Sequence, residues 1–165
     1  MNTVARFEKV SRGQFESAFR DIFGTETTAY DTLTLPCRAT AGSAGYDFTL
    51  PCDVTLAPGQ TAKIPTGIRV WIAEGWLLQI FPRSGLGFKY RLQLDNTVGI
   101  IDSDYYGADN EGHIFIKITN DSKEGKTLSL HAGDAFAQGV FTPFGIAEGD
   151  DASATRHGGF GSTGA

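Results

Sequence analysis

What most constrains the fold of this chain is its punctuation. From Tyr46 onward it breaks into short runs rich in β-branched and aromatic residues: GIRVWIA (67–73), WLLQIF (76–81), HIFIKIT (113–119) and DAFAQGVFT (134–142). Gly or Pro stands between them, at Pro58-Gly59, Pro65, Gly75, Pro82, Gly125 and Gly133, where such residues end regular structure. Ile114, Ile116 and Ile118 alternate with Phe115, Lys117 and Thr119, the period of two that a strand demands. Many short strands at this spacing predict an all-β jelly roll or closed barrel rather than a parallel sheet. One helix is predicted ahead of them, over 11–24. Phe15, Ala18, Phe19, Ile22 and Phe23 form one apolar stripe. Ser11 with Gln14 makes a capping-box pattern, and Gly24 is a natural stop. The stripe has no Lys/Arg-rich opposite face, so it packs on the body or on a neighbouring subunit rather than on a membrane. Residues 25–44 read as loop, and 145–165, without periodicity, as a mobile tail.

Composition narrows the function. A chain of 165 residues with 41% hydrophobic content suits one domain with a real core and excludes a disordered chain. Its 21 glycines have no three-residue period, which excludes collagen. A net charge of -5 argues against a broad nucleic-acid surface; a polyanion must be met by a few local cations or a metal. No apolar run reaches the roughly 18 residues of a membrane span, and the start, MNTVARFEKVSRGQF, has no apolar signal core, so a cytoplasmic location is expected. Cys37 and Cys52 match no zinc pattern and read as reduced thiols. His113, His131 and His157 have no ligand spacing and read as surface histidines. GFGSTG (159–164) fits a dinucleotide fingerprint as a string, but only Ala165 follows it. DSDYYG (102–107) opens like a calcium loop, but Tyr106 and His113 stand at the fifth and twelfth positions.

Five segments remain: AGSAGYDF (41–48), PRSGLGFKY (82–90), NTVGIIDSDYYG (96–107), GDAFAQGVFTPF (133–144) and RHGGFGSTG (156–164). Each alone is a turn, a hairpin tip or a tail. Together and in order, they closely resemble the five motifs of the trimeric deoxyuridine triphosphate nucleotidohydrolases, the dUTPases, from about residue 34 to the end. The resemblance implies a distorted jelly-roll barrel over 31–145. An N-terminal extension with the helix (1–30) precedes it, and a C-terminal lid (146–165) follows. It also implies a homotrimer with shared active sites and hydrolysis of dUTP to dUMP and pyrophosphate with magnesium.

The roles that follow are what the resemblance implies. Asp102, at the end of the apolar pair Ile100-Ile101, orients the attacking water, a role in which partial burial helps. Asn96, with the backbone of Gly99, Ile100 and Ile101, pairs with uracil; an amide offers both donor and acceptor. Unmet polar groups would reject cytosine. Tyr105 stacks under the deoxyribose and excludes a 2′-hydroxyl; a barrel-core tyrosine is the alternative. Tyr106 would face the other way in a strand. Arg83 and Ser84 contact phosphate, Arg through its fixed fork of donors, and Gly85 lets backbone approach. Gln138 lies near the α-phosphate and water. Asp47 supports metal-bound waters, or is simply a hydrogen-bonded turn residue. In the tail, Phe160 stacks on the base, while Arg156, Gly161, Ser162 and Thr163 supply charge and donors to phosphate.

Two departures stand out. Arg156 is one residue closer to the glycines than the usual fifth motif. The third motif is longer after Gly107, and Asp109, Asn110 and Glu111 are expected to bulge from the hairpin end. A dCTP deaminase on the same fold would not need the Asn96, Asp102 and Tyr105 set. The helix and the insertion are the surfaces left for a regulatory protein partner.

Overall fold

The computed structural model describes residues 2–154 and 158. The strands are β1 Ala5–Lys9, β2 Cys37–Arg38, β3 Tyr46–Thr49, β4 Val54–Leu56, β5 Thr61–Pro65, β6 Ile68–Ile72, β7 Trp76–Pro82, β8 Leu92–Leu94, β9 Gly99–Ile101, β10 Phe115–Asn120, β11 Leu128–Leu130 and β12 Ala135–Pro143. Two α-helices, α1 Arg12–Phe23 and α2 Ser84–Tyr90, and two 3-10 turns, Ala29–Thr32 and Ser103–Gly107, complete the described elements. The largest sheet runs β2-β3-β12-β7-β9, a second β5-β10-β8, and two pairs join β1 to β6 and β11 to β4. Every pairing is antiparallel. This is the jelly-roll-like arrangement predicted from the spacing of the runs. No helix among the described residues is long and apolar enough to cross a membrane.

The alternation read from 114–119 is the core pattern. Ile114, Ile116 and Ile118 are buried with Ile64, Leu78, Ile80, Phe48 and Phe136, while Lys117 is exposed. Burial of this apolar area is the main stabilising term. A second cluster of Val10, Phe15, Phe19 and Leu33 seats α1. Half of the capping box forms: the Ser11 hydroxyl accepts from Gln14 N–H at 3.2 Å, whereas Ser11 N–H, which the box gives to the Gln14 side chain, donates to Glu111 at 2.7 Å. Gly24 ends the helix in the left-handed region as predicted.

Several expectations are corrected. Ala5–Lys9 forms a strand on β6, where no strand was expected; its alternation is short, with Ala5 and Phe7 turned to the core, and Phe7 fixes it by packing on Tyr46, Phe48 and Phe141. PRSG is not a turn into a strand but the entry to α2. Its two glycines weaken helix propensity, and the packing of Leu86 and Tyr90 on the core outweighs them. His113 is no surface histidine: it is fully buried and its Nε2 accepts from Gly67 N–H at 2.9 Å. Tyr105 and Tyr106 lie in a 3-10 turn, so a strand's two-sided alternation does not govern them. The 109–111 segment does not simply bulge. Asp109 is exposed, but Asn110 and Glu111 are tied inward by hydrogen bonds.

Candidate active site

The phosphate-contacting candidates are assembled by β12. A register irregularity between Ala135 and Ala137 resets this strand and bends it locally. Gln138 is then paired with Asp47 on one side and Phe81 on the other. The Gln138 amide donates to the Pro82 carbonyl at 3.2 Å. Arg83, the next residue, brings its Nε within 3.4 Å of the Asp47 carboxylate. Asp47, Arg83 and Gln138 thus meet at the end of β7, beside β3 and β12. Ser84 and Gly85 are exposed in the first turn of α2, and nothing lies within 4 Å of where a Gly85 side chain would start. Gly45, which the sequence reading left unassigned, packs against this group. A Cβ there would sit 2.5 Å from Gln138 Oε1, so the absence of a side chain gives the amide its place.

The base-reading candidates form a second group. Asn96, Gly99, Ile100 and Ile101 line a cavity of about 480 Å³, a volume usual for a small-molecule site. Gly99 is close-packed: a Cβ would meet the Ile80 side chain at 3.1 Å. Ile80, Leu94 and Ile116 give apolar walls; of the lining residues that the sequence reading missed, Phe115 adds an aromatic wall and Lys63, Asp95 and Lys117 add charged groups. Burial disfavours the charged form of Asp95, but hydrogen bonds from Lys117 and Thr119 outweigh it and hold the carboxyl below the usual range. Thr97, at the tip beside Asn96, takes φ 68°, a strained conformation for a β-branched residue.

Asp102 is half-buried, at the far end of β9, where it starts the 3-10 turn. Tyr105 is 4% exposed, and its hydroxyl donates to the His113 carbonyl at 2.6 Å. Tyr106 stacks on Arg69, 3.7 Å from guanidinium carbon to ring centre, and its hydroxyl donates to Glu8 at 2.8 Å. Arg156, Phe160, Gly161, Ser162 and Thr163 lie outside the described residues.

Register shows which candidates do not meet within one chain. Ile101 pairs with Leu78, so Asp102 stands level with about Leu77. Gln138 pairs with Phe81, and Arg83 follows Pro82. Four to six positions of β7 therefore separate the two groups, roughly 13–20 Å along an extended strand.

The fold is thus an antiparallel-sheet protein with a cavity of small-molecule size and, apart from it, a polar cluster of Asp47, Arg83 and Gln138. The dUTPase family matches residues 31–164. The deoxyuridine 5′-triphosphate nucleotidohydrolase of Lactococcus lactis is 43% identical over 136 residues, 81% of this chain and 89% of that relative. The crystal structure of dUTPase from Streptococcus mutans superposes with TM-score 0.66 at 36% identity, covering 87% of this chain and 98% of that one. A dUTPase from phage phi11 of Staphylococcus aureus, described with a structural Mg(II) ion, shares the fold at TM-score 0.65 and 23% identity, covering 93% of this chain and 98% of that one. The chain belongs to the dUTPase family. Its reaction is the hydrolysis of dUTP.

Proposed function

We propose that the enzyme works as a homotrimer whose sites are shared between chains, splitting dUTP into dUMP and pyrophosphate by attack of water on the α-phosphorus. The observation that carries the shared site is the register. Asp102 and the Asp47, Arg83 and Gln138 cluster sit on one sheet yet several residues apart. A second copy brings its cluster to the Asp102 end of the first.

Uracil enters the cavity beside Asn96, where the side-chain amide and the Gly99–Ile101 backbone meet its polar edge. Isoleucine walls exclude bulk water. Tyr105 lies against the deoxyribose. Its hydroxyl is engaged inward, so the ring is what it offers a sugar. Asp102 orients the water and takes its proton as the new P–O bond forms. The bond from the α-phosphorus to the oxygen bridging the β-phosphate breaks, and the electron pair leaves with pyrophosphate. Arg83 neutralises developing charge on the phosphate oxygens through its fork of donors. Ser84 and Gly85 offer their N–H groups, and Gln138 holds the α-phosphate end. Arg156, Phe160, Gly161, Ser162 and Thr163 complete the set over base and phosphates.

Magnesium fits the donor chemistry. A hard ion held mainly by substrate oxygens and water asks little more of the protein than a carboxylate beside the phosphate contacts, and the Asp47 carboxylate lies 3.4 Å from Arg83 Nε. Asp47 is the carboxylate placed to hold such a water. When bound, the ion supplies charge neutralisation on the triphosphate.

The test is pyrophosphate release from dUTP, dCTP, dTTP and UTP, with and without magnesium. Release from dUTP alone, dependent on magnesium, is expected. Equal release from UTP or dTTP sinks the cavity and sugar assignments, and ammonia release from dCTP would replace them with a deaminase.

A further inference from the structure

The insertion after Gly107 is wired into the turn that carries Tyr105. The Asn110 amide nitrogen donates to the Tyr105 hydroxyl at 2.9 Å, and that hydroxyl donates to the His113 carbonyl at 2.6 Å. The orientation of the amide is fixed by its other end, where Asn110 Oδ1 accepts from Gly112 N–H at 3.2 Å. The loop closes tightly on the same turn. A Cβ at Gly112, whose φ is +70°, would lie 2.7 Å from the Tyr105 carbonyl oxygen. Its neighbour Glu111 holds φ 61° without being glycine, a strained state that persists only where the surroundings enforce it. What enforces it is α1. The Glu111 carboxylate accepts from Ser11 N–H at 2.7 Å and from the Ser11 hydroxyl at 2.6 Å.

We propose that this insertion is a positioning clamp for sugar selection: Asn110 fixes the Tyr105 ring through its hydroxyl, and Glu111 fastens the clamp to Ser11, the N-cap of α1. The proposal rests on the reading of Tyr105 as the residue that lies against the deoxyribose. Asn110 is a positioning residue, since it acts through Tyr105. A ring that discriminates a hydrogen from a hydroxyl at the 2′ carbon must be held in place, because a small tilt opens room for the extra oxygen. A tyrosine hydroxyl held by one carbonyl can still swing about that bond. A second partner removes that freedom.

The experiment measures kcat/KM for dUTP and for UTP, with melting temperature, in the full-length enzyme. Asn110→Asp keeps an acceptor for Gly112 N–H and loses the amide donor that serves the Tyr105 hydroxyl at 2.9 Å and, more weakly, the His113 carbonyl at 3.4 Å. Asn110→Ala removes both. Tyr105→Phe removes the hydroxyl and keeps the ring. Each is expected to lower the dUTP-to-UTP ratio by about three- to tenfold, the worth of one hydrogen bond. The Asn110→Asp, Tyr105→Phe double variant should be no worse than either alone, since both act through one contact. Glu111→Ala should lower the ratio in the same direction by less. Tyr105→Ala separates the two ideas. If it abolishes selectivity while both Asn110 variants keep the wild-type ratio, the clamp is overturned and the sugar reading stands. If Tyr105→Ala keeps full selectivity, the sugar reading itself is wrong. Additive losses in the double variant overturn the shared contact, and an unchanged ratio in Glu111→Ala overturns the fastening to α1.

Discussion

Gly45 leaves the room that the Gln138 amide occupies. The contact that a Cβ would make there is with Gln138 Oε1, the far end of a flexible side chain. Gly45→Ala should therefore leave the melting temperature nearly unchanged, because the amide can swing aside. The swing takes Gln138 out of place, and turnover should fall by roughly 10–100-fold, the scale of a misplaced group in an ordered site. Steady-state kinetics beside a thermal melt checks this; normal turnover would mean Gln138 does not act at the phosphate end. His113 makes a different residue-scale statement. Burial is the main cause holding its imidazole neutral, with its pKa lowered from 6.5 to about 4; Glu111 opposes the shift and Lys63 adds to it. The unfolded chain takes up a proton near pH 6.5 while the native state does so only near pH 4. Stability is thus full above that window and falls as pH drops through it, by up to roughly 3 kcal/mol, levelling off once both states are protonated. Urea midpoints between pH 7 and pH 4 should show the slope, and His113→Gln should flatten it.

Elements differ in how far their sequence reveals them. The α1 boundaries were legible because caps are local: Ser11, Gln14 and Gly24 act within one turn of the ends they define. The ladder of isoleucines in β10 was legible because one face meets the core. β1 and α2 were not, since Phe7 and the pair Leu86 and Tyr90 take their meaning from distant partners. The same limit hid His113, whose burial depends on α1 covering it through Phe15, 6.4 Å away between ring centres. Candidate site residues followed this division. Asp102, Asn96 and Arg83 were nominated from identity and order along the chain; the inward turn of the Tyr105 hydroxyl was not legible, because it depends on a 3-10 turn and an insertion. At the α1 entrance Ser11 accepts from Gln14 N–H and donates to Glu111. Ser11→Ala removes both and should cost roughly 1–2 kcal/mol, at or slightly above an ordinary N-cap loss. A guanidinium titration reads it, and a loss under a few tenths would show that water replaces the cap.

The whole molecule poses the question that one chain leaves open, namely where the two halves of the catalytic set come together. Within a chain, Asp102 stands level with about Leu77, and Arg83 lies beyond Pro82 on the same strand. β7 is paired on both sides, with β12 and β9, so it cannot fold back to close the gap without breaking two ladders. The proposed subunit contact would close that gap, and the proposal makes a prediction that no single-chain site can meet. Arg83→Ala and Asp102→Asn should each be nearly inactive alone, Asp102→Asn by about 10²–10⁴-fold in turnover. Co-expressed in equal amounts, they form mixed trimers. A site that draws Arg83 from one chain and Asp102 from its neighbour is intact whenever an Asp102→Asn chain supplies the first and an Arg83→Ala chain the second, about one site in four for random assembly in a ring. Activity near a quarter of wild type is therefore expected from the mixture of two inactive proteins. If both groups served one site from one chain, every site in the mixture would carry a lesion, and the activity would stay at the level of the separate variants.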